Sequence, residues 1–138
     1  MPDKQRVLIL CTGNSARSQM AEALLRHDAG NRFDAFSAGI CPGRVRPEAI
    51  EVMRELGIDI SNLCSKSVDE FKGQSFDYVL TVCDNARESC PIFPCRTVTI
   101  HKSFDDPAAF EGSEEERLGL FRRVRDELRE YLRTFPPL

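Results

Sequence analysis

The sequence of 138 residues contains no tryptophan, only two tyrosines and two histidines, and no excess of either charge: 19 basic against 22 acidic residues leave a formal charge of −3. Without a basic excess there is no footing for nucleic acid or an anionic membrane as partner, so any anionic ligand has to be drawn by local groups. No apolar run approaches the about 20 residues of a membrane span, and Met1-Pro2-Asp3-Lys4-Gln5 enters the first apolar segment without a signal-peptide pattern. A cytoplasmic protein is therefore expected. The chain has no internal repeat, no low-complexity segment and too little length for two ordinary domains, so residues 1–138 are read as one domain. It also lacks any C-x-x-C pair, and His27 and His101 stand apart, so no metal site is expected. The six cysteines, Cys11, Cys41, Cys64, Cys83, Cys90 and Cys95, then point to catalysis or redox chemistry in a reducing compartment rather than to a disulfide framework.

What is present begins with Val7-Leu8-Ile9-Leu10-Cys11-Thr12-Gly13-Asn14-Ser15-Ala16-Arg17-Ser18, an apolar run that ends in a cysteine and is followed after five small or polar residues by an arginine. It reads as a strand over 6–10, a loop, and a helix from about Ser15 to Ala29 in which Met20, Ala23, Leu24 and His27 recur at helical spacing, with His27 a boundary residue. A second strand is expected over 33–38. After a Pro- and Gly-containing loop, a helix starts at Pro47, stops at Gly57 and turns Ile50, Met53 and Leu56 to the core. Ser67 and Glu70 stand at capping-box spacing and mark a short helix over 68–71. Strands over 76–82 and 97–100 follow, parallel to the first. Ser113 and Glu116 open a long helix whose stripe is Phe121, Val124, Leu128, Tyr131 and Phe135, closed by Pro136 and Pro137. Strands alternating with helices predict an α/β fold: a doubly wound, four-stranded parallel sheet with helices on both faces. Its ligand site lies beyond the carboxyl ends of the strands, where the Cys11 loop, Cys83 and the loop after Ile100 all fall.

Three groups of residues there carry chemistry. The Cys11–Arg17 loop joins a thiol to a guanidinium, with Gly13 expected to give the backbone freedom that lets successive N–H groups converge on an oxyanion. A helix N-terminus at its end adds positive potential and favours the thiolate form of Cys11. Arg17 offers a two-pronged hydrogen-bonding fork, Ser18 a donor to the sulfur, and Asn14 a brace. In Phe104-Asp105-Asp106-Pro107, a carboxylic acid could approach the anion opposite the thiol and protonate a leaving oxygen. Cys83 and Cys90, seven positions apart, would sit about 10 Å apart along a regular helix. If they pair, the segment between them must loop or unwind, because a disulfide needs Cα atoms within about 7 Å.

On these residues the chain resembles the low-molecular-weight protein tyrosine phosphatase family and, within it, the thioredoxin-coupled arsenate reductases. Cys11 to Ser18, continued by Gln19-Met20-Ala21-Glu22-Ala23, is similar to the family's phosphate loop, and Ser37-Ala38-Gly39 to the segment supporting it. Cys83, Cys90 and Phe104-Asp105-Asp106-Pro107-Ala108 match the reductase branch, and the tyrosines that would grip an aryl phosphate are missing. The resemblance implies that Cys11 attacks arsenate while Arg17 and the loop Thr12, Gly13, Asn14, Ser15, Ala16 and Ser18 hold the oxyanion. Asp106 would assist loss of an oxygen, Cys83 would attack Cys11 to release arsenite, and Cys90 would attack Cys83 to leave a disulfide for thioredoxin. No bound cofactor is implied beyond that external reductant. Ala16 replaces a cysteine common in related reductases. Some members hold a potassium ion with residues matching Asn14, Glu22 and Ser37, but their additional acidic ligand corresponds to Lys66, whose ammonium is expected to replace the ion.

The leading reading is a monomeric arsenate reductase that also accepts phosphate or sulfate as analogues. The alternatives are a phosphatase acting on phosphotyrosine or phosphoarginine, and a non-catalytic oxyanion-binding module. Cys41 and Cys64 are read as bystanders, and Cys95 as a second possible resolving thiol.

Overall fold

The computed structural model describes residues 4–83 and 97–136. Its centre is β1 (Gln5–Cys11), whose residues from Val7 onward are all buried, as a strand covered on both faces requires. Helix α1 (Arg17–Ala29) follows, then β2 (Phe33–Gly39), α2 (Pro47–Arg54), a 3-10 turn over Val68–Phe71, β3 (Tyr78–Thr81), β4 (Val98–His101), a 3-10 turn over Pro107–Ala109 and α3 (Glu114–Arg133). The strands form one parallel sheet in the order β2-β1-β3-β4. Because the order reverses at β1, the crevice at its carboxyl end is the topological switch point, where α/β sheets bind ligands.

Side chains alternate along a strand, so Phe33 and Phe36 of β2 point to opposite faces. Phe33 packs edge-on against Phe135, just beyond α3, and α3 in turn packs on α1 and α2. Phe36 instead meets Phe71 of the 3-10 turn and Phe76, which cover the other face. Helix α3 buries Phe121, Val124, Leu128 and Leu132. Burying each such side chain stabilises the fold by about 1.5–3 kcal/mol. The capping boxes at Ser67/Glu70 and Ser113/Glu116 both form, satisfying amide groups at the helix starts. Among the described residues no helix is long and apolar enough to cross a membrane.

Several boundaries differ from the sequence reading, each for a local reason. Helix α1 begins at Arg17 rather than Ser15, since Ala16 holds non-helical dihedrals and Ser15 belongs to the loop. α2 ends at Arg54, and the chain then turns through Gly57 at φ +77°, a conformation glycine adopts without strain. The core face of α2 is Ala49, Val52 and Met53, with Ile50 and Leu56 only partly covered. His27 is exposed and beside Asp28 rather than at a core boundary. The third strand is shorter than read, because Phe76 leaves the sheet to join the aromatic cluster.

Two carboxylates fasten α3 to the rest. Asp28 of α1 accepts two hydrogen bonds from Arg129, and Glu55 accepts from Arg122 and Arg125. Both carboxyls are held below the usual carboxylate range, first by the Arg129 and the Arg122 hydrogen bond respectively. A carboxylate whose pKa falls on folding stabilises the fold above its unfolded pKa, and that contribution disappears as pH falls through the folded value. Glu55→Gln is therefore expected to lower the thermal midpoint at pH 7 by a few degrees, with the difference from the parent shrinking below about pH 4.5. Thermal melts across pH 3–7 check this; a difference independent of pH would contradict it.

Candidate functional site

The site is the loop from Cys11 to Arg17 and the two segments that wall it. On one side the chain after β2 runs alongside the loop and extends the sheet pairing by backbone bonds: Ile40 N–H to Cys11 O, Cys41 N–H to Thr12 O, Gly43 N–H to Gly13 O and Arg46 N–H to Ser15 O. On the other, Ser65 donates from its hydroxyl to Gly13 O and Lys66 donates its N–H to Asn14 Oδ1. Gly39 lies beneath both. A Cβ there would come within 2.8 Å of Asn14 N and Thr12 O, so only glycine lets β2 approach the loop this closely.

The residue that bends the loop is Asn14, at φ +48°. Gly13, which the sequence reading expected to give the loop its backbone freedom, has no positive φ. A left-handed residue other than glycine costs about 1–2 kcal/mol, least for Asn and Asp. Here every polar atom of Asn14's side chain is engaged. Its Oδ1 accepts from Lys66 N–H and Gln19 Nε2, and its Nδ2 donates to Ser18 Oγ and Ser37 Oγ. The directions follow from the far end. Glu22 is a buried carboxylate that accepts the single hydroxyl hydrogen of Ser37 at 2.8 Å, so Ser37 Oγ is left to accept from Asn14. Ser18 Oγ likewise accepts from Asn14 and has its own hydrogen left for Cys11 Sγ, 2.8 Å away. Asn14 N–H also points at that sulfur, at 3.2 Å.

Helix α1 has no side-chain cap at Ala16, and the first-turn amides of a helix lack intrahelical partners. Arg17, nine-tenths buried, sends Nη1 to Phe104 O at 3.1 Å and places Nη2 3.6 Å from Asp106 Oδ2. The acid loop is carried there by the sheet, because Lys102 N–H and Phe104 N–H bond Thr81 O and Val82 O. Asp106 itself is exposed and caps the 3-10 turn through Ala108 N–H. Cys83, buried at the end of β3, has its Sγ 3.3 Å from Thr12 Oγ1. Five expected residues, Cys11, Thr12, Arg17, Cys83 and Asp106, thus come together at one end of the sheet. Cys90 and Cys95 lie outside the described residues.

This cradle is the feature to set beside known proteins. The family model for low molecular weight phosphotyrosine protein phosphatase matches residues 6–136. The chain belongs to that family. Within this phosphatase family, it is 44% identical over 133 residues to an arsenate reductase of Halalkalibacterium halodurans, covering 96% of each chain. A crystal structure of an arsenate reductase from Archaeoglobus fulgidus superposes with a TM-score of 0.74 at 30% identity, covering 93% of this chain and 96% of that one. An arginine phosphatase from Geobacillus stearothermophilus superposes at 0.71 with 25% identity, covering 94% and 88%.

The loop-support residues also meet. Glu22, Ser37 and Asn14 form the chain just described, and Lys66 Nζ stands 4.0 Å from Glu22 Oε1 while donating to Cys64 O at 3.0 Å. Arg26 Nη1 lies 3.3 Å from the other oxygen, Oε2. Cys41 and Cys64 are exposed on the two walls. Gln19 and Ser65 were not among the expected site residues. Gln19 lies in the stretch that resembles the family's phosphate loop, but nothing in the sequence distinguishes it from the other helix positions there.

Gly39→Ala is expected to push the loop away from β2, costing about 1–3 kcal/mol as overpacking does and weakening phosphate binding by about tenfold or more. Calorimetric titration with inorganic phosphate, paired with thermal melts, checks both effects.

Proposed function

We propose that this chain reduces arsenate to arsenite through a thiol relay from Cys11 to Cys83 to Cys90 that thioredoxin resets. The observation that carries the reading is Cys83: a second buried thiol, held by Thr12 at the lip of an oxyanion cradle, is what a reductase needs and a phosphate-ester hydrolase does not. The arsenate reductase relatives, matched over nearly their full lengths, support it.

The Cys11 thiolate attacks arsenic(V), forming an S–As bond as an oxygen leaves as water with a proton from Asp106. Arg17 and the loop amides neutralise the oxyanion, as preorganised donors do best in a site that excludes water. The Cys83 thiolate then attacks Cys11 Sγ. An S–S bond forms, the S–As bond breaks, and its electron pair leaves with arsenic, which becomes arsenite, arsenic(III). The Cys90 thiolate attacks Cys83 Sγ and frees Cys11, leaving the two oxidising equivalents in a Cys83–Cys90 disulfide. A thioredoxin dithiol reduces that bond by the same exchange, becoming a disulfide itself. All the named residues belong to one chain, in keeping with a monomer, and the relay requires a reducing compartment such as the cytoplasm.

A potassium ion does not fit beside Glu22. Its carboxylate oxygens already face the Ser37 hydroxyl, the Lys66 ammonium and the Arg26 guanidinium, so a further cation would be repelled. Activity is accordingly expected to be equal in potassium and sodium salts at matched ionic strength, and a several-fold activation by potassium would contradict this.

The phosphatase reading keeps a specific support, because everything in the cradle except Cys83 serves phosphate ester hydrolysis equally well. Arsenite production with thioredoxin, thioredoxin reductase and NADPH separates the two. Cys83→Ser and Cys90→Ser are expected to abolish multiple turnover, by a factor of 10² or more on the order of a lost essential nucleophile, while sparing any hydrolysis of a phosphate ester. Cys11→Ser should abolish both. Full reduction by the Cys83 variant would overturn the relay through Cys83, ester hydrolysis with no arsenite from the parent would leave the phosphatase as the better account, and unchanged phosphate binding by Cys11→Ser with neither activity in the parent would favour a binding module.

A further inference from the structure

We infer that Gln19 is a positioning residue for the oxyanion cradle, holding the left-handed turn at Asn14 in its binding shape before any anion arrives. This rests on the Cys11 loop being the oxyanion site.

Gln19 is wholly buried in the first turn of α1. Its Nε2 faces three oxygens at once: Asn14 O at 3.2 Å, Asn14 Oδ1 at 2.9 Å and Cys64 O at 2.9 Å. All three are acceptors, so the amide can sit only one way round. Gln19 thereby grips Asn14 by both its main chain and its side chain and ties that residue to the 64–66 wall.

The other end of the same amide is left with a deficit. Gln19 Oε1 is buried and accepts no hydrogen bond among the described residues. An unsatisfied buried acceptor typically costs about 1–3 kcal/mol, and an apolar side chain of similar length would avoid it. Methionine there would remove that deficit but also take the donor from Asn14 O, so the two changes offset one another in stability. The geometry makes sense if the amide is kept for its donor, which opposes relaxation of a backbone conformation that is itself unfavourable. Asn14 in turn supplies an N–H to Cys11 Sγ and sets the Ser18 hydroxyl on the same sulfur. Loss of the Gln19 grip should therefore be felt where the anion binds, and little in the fold.

The test is Gln19→Met, which keeps length and bulk but removes the donor, with Gln19→Leu as a second variant in case the thioether overpacks the site. Inorganic phosphate is titrated by calorimetry, thermal midpoints are taken with and without phosphate, and arsenate kinetics are run on the same samples. Expected are an anion-free midpoint within a few degrees of the parent, a phosphate Kd and an arsenate KM raised about tenfold, a smaller fall in kcat, and a smaller midpoint gain from phosphate. An unchanged phosphate Kd and midpoint gain would overturn the inference. So would failure of both variants to fold, since Gln19 would then be structural. Absence of arsenite formation by the parent protein would sink the reductase reading while leaving the phosphate comparison intact.

Discussion

The site depends on one residue, Asn14, being held in a left-handed conformation. That single bend brings its own N–H and the Ser18 hydroxyl onto Cys11 Sγ. It persists because the side chain of Asn14 is saturated by Lys66, Gln19, Ser18 and Ser37, and because Glu22, accepting from Ser37, fixes the direction of every donor behind it. A buried polar network of this kind is favourable only when its members are satisfied, and the atom of it that lacks a partner among the described residues, Gln19 Oε1, lies at its edge.

The sheet supplies the rest of the geometry. Parallel strands ordered β2-β1-β3-β4 place the ends of β1 and β3 side by side, so that Cys11 and Cys83 emerge next to one another from segments more than seventy residues apart. The loop after β4 continues the hydrogen bonding of β3 and delivers Phe104 O and Asp106 to Arg17. A rigid scaffold thus sets the thiol, the guanidinium and the acid, while chemistry is left to the loops, as is usual for α/β folds.

Much of this was legible in the sequence. The uninterrupted apolar run before Cys11, the two capping boxes and the stripe of α3 determine the elements. The cysteine and arginine spacing marks the cradle, and the family resemblance brings Cys83 and Asp106 to it. What escaped was decided by packing across sequence distance. Gly13 looked like the flexible residue, yet Asn14 takes the strained angle because its side chain has four partners to hold it. Gly39 matters for a backbone approach that no local pattern encodes. Helix α1 starts late because Ser15 is bonded to Arg46 on the neighbouring wall.

The central claim is that Cys11 passes its oxidising equivalents to Cys83. It is tested most directly by a single turnover of the Cys90→Ser variant with arsenate and no reductant, quenched with acid and mapped by mass spectrometry. The account predicts one arsenite released per chain and a trapped Cys11–Cys83 disulfide. Arsenite release with Cys83 still a free thiol, or a disulfide from Cys11 to any other cysteine, would contradict it.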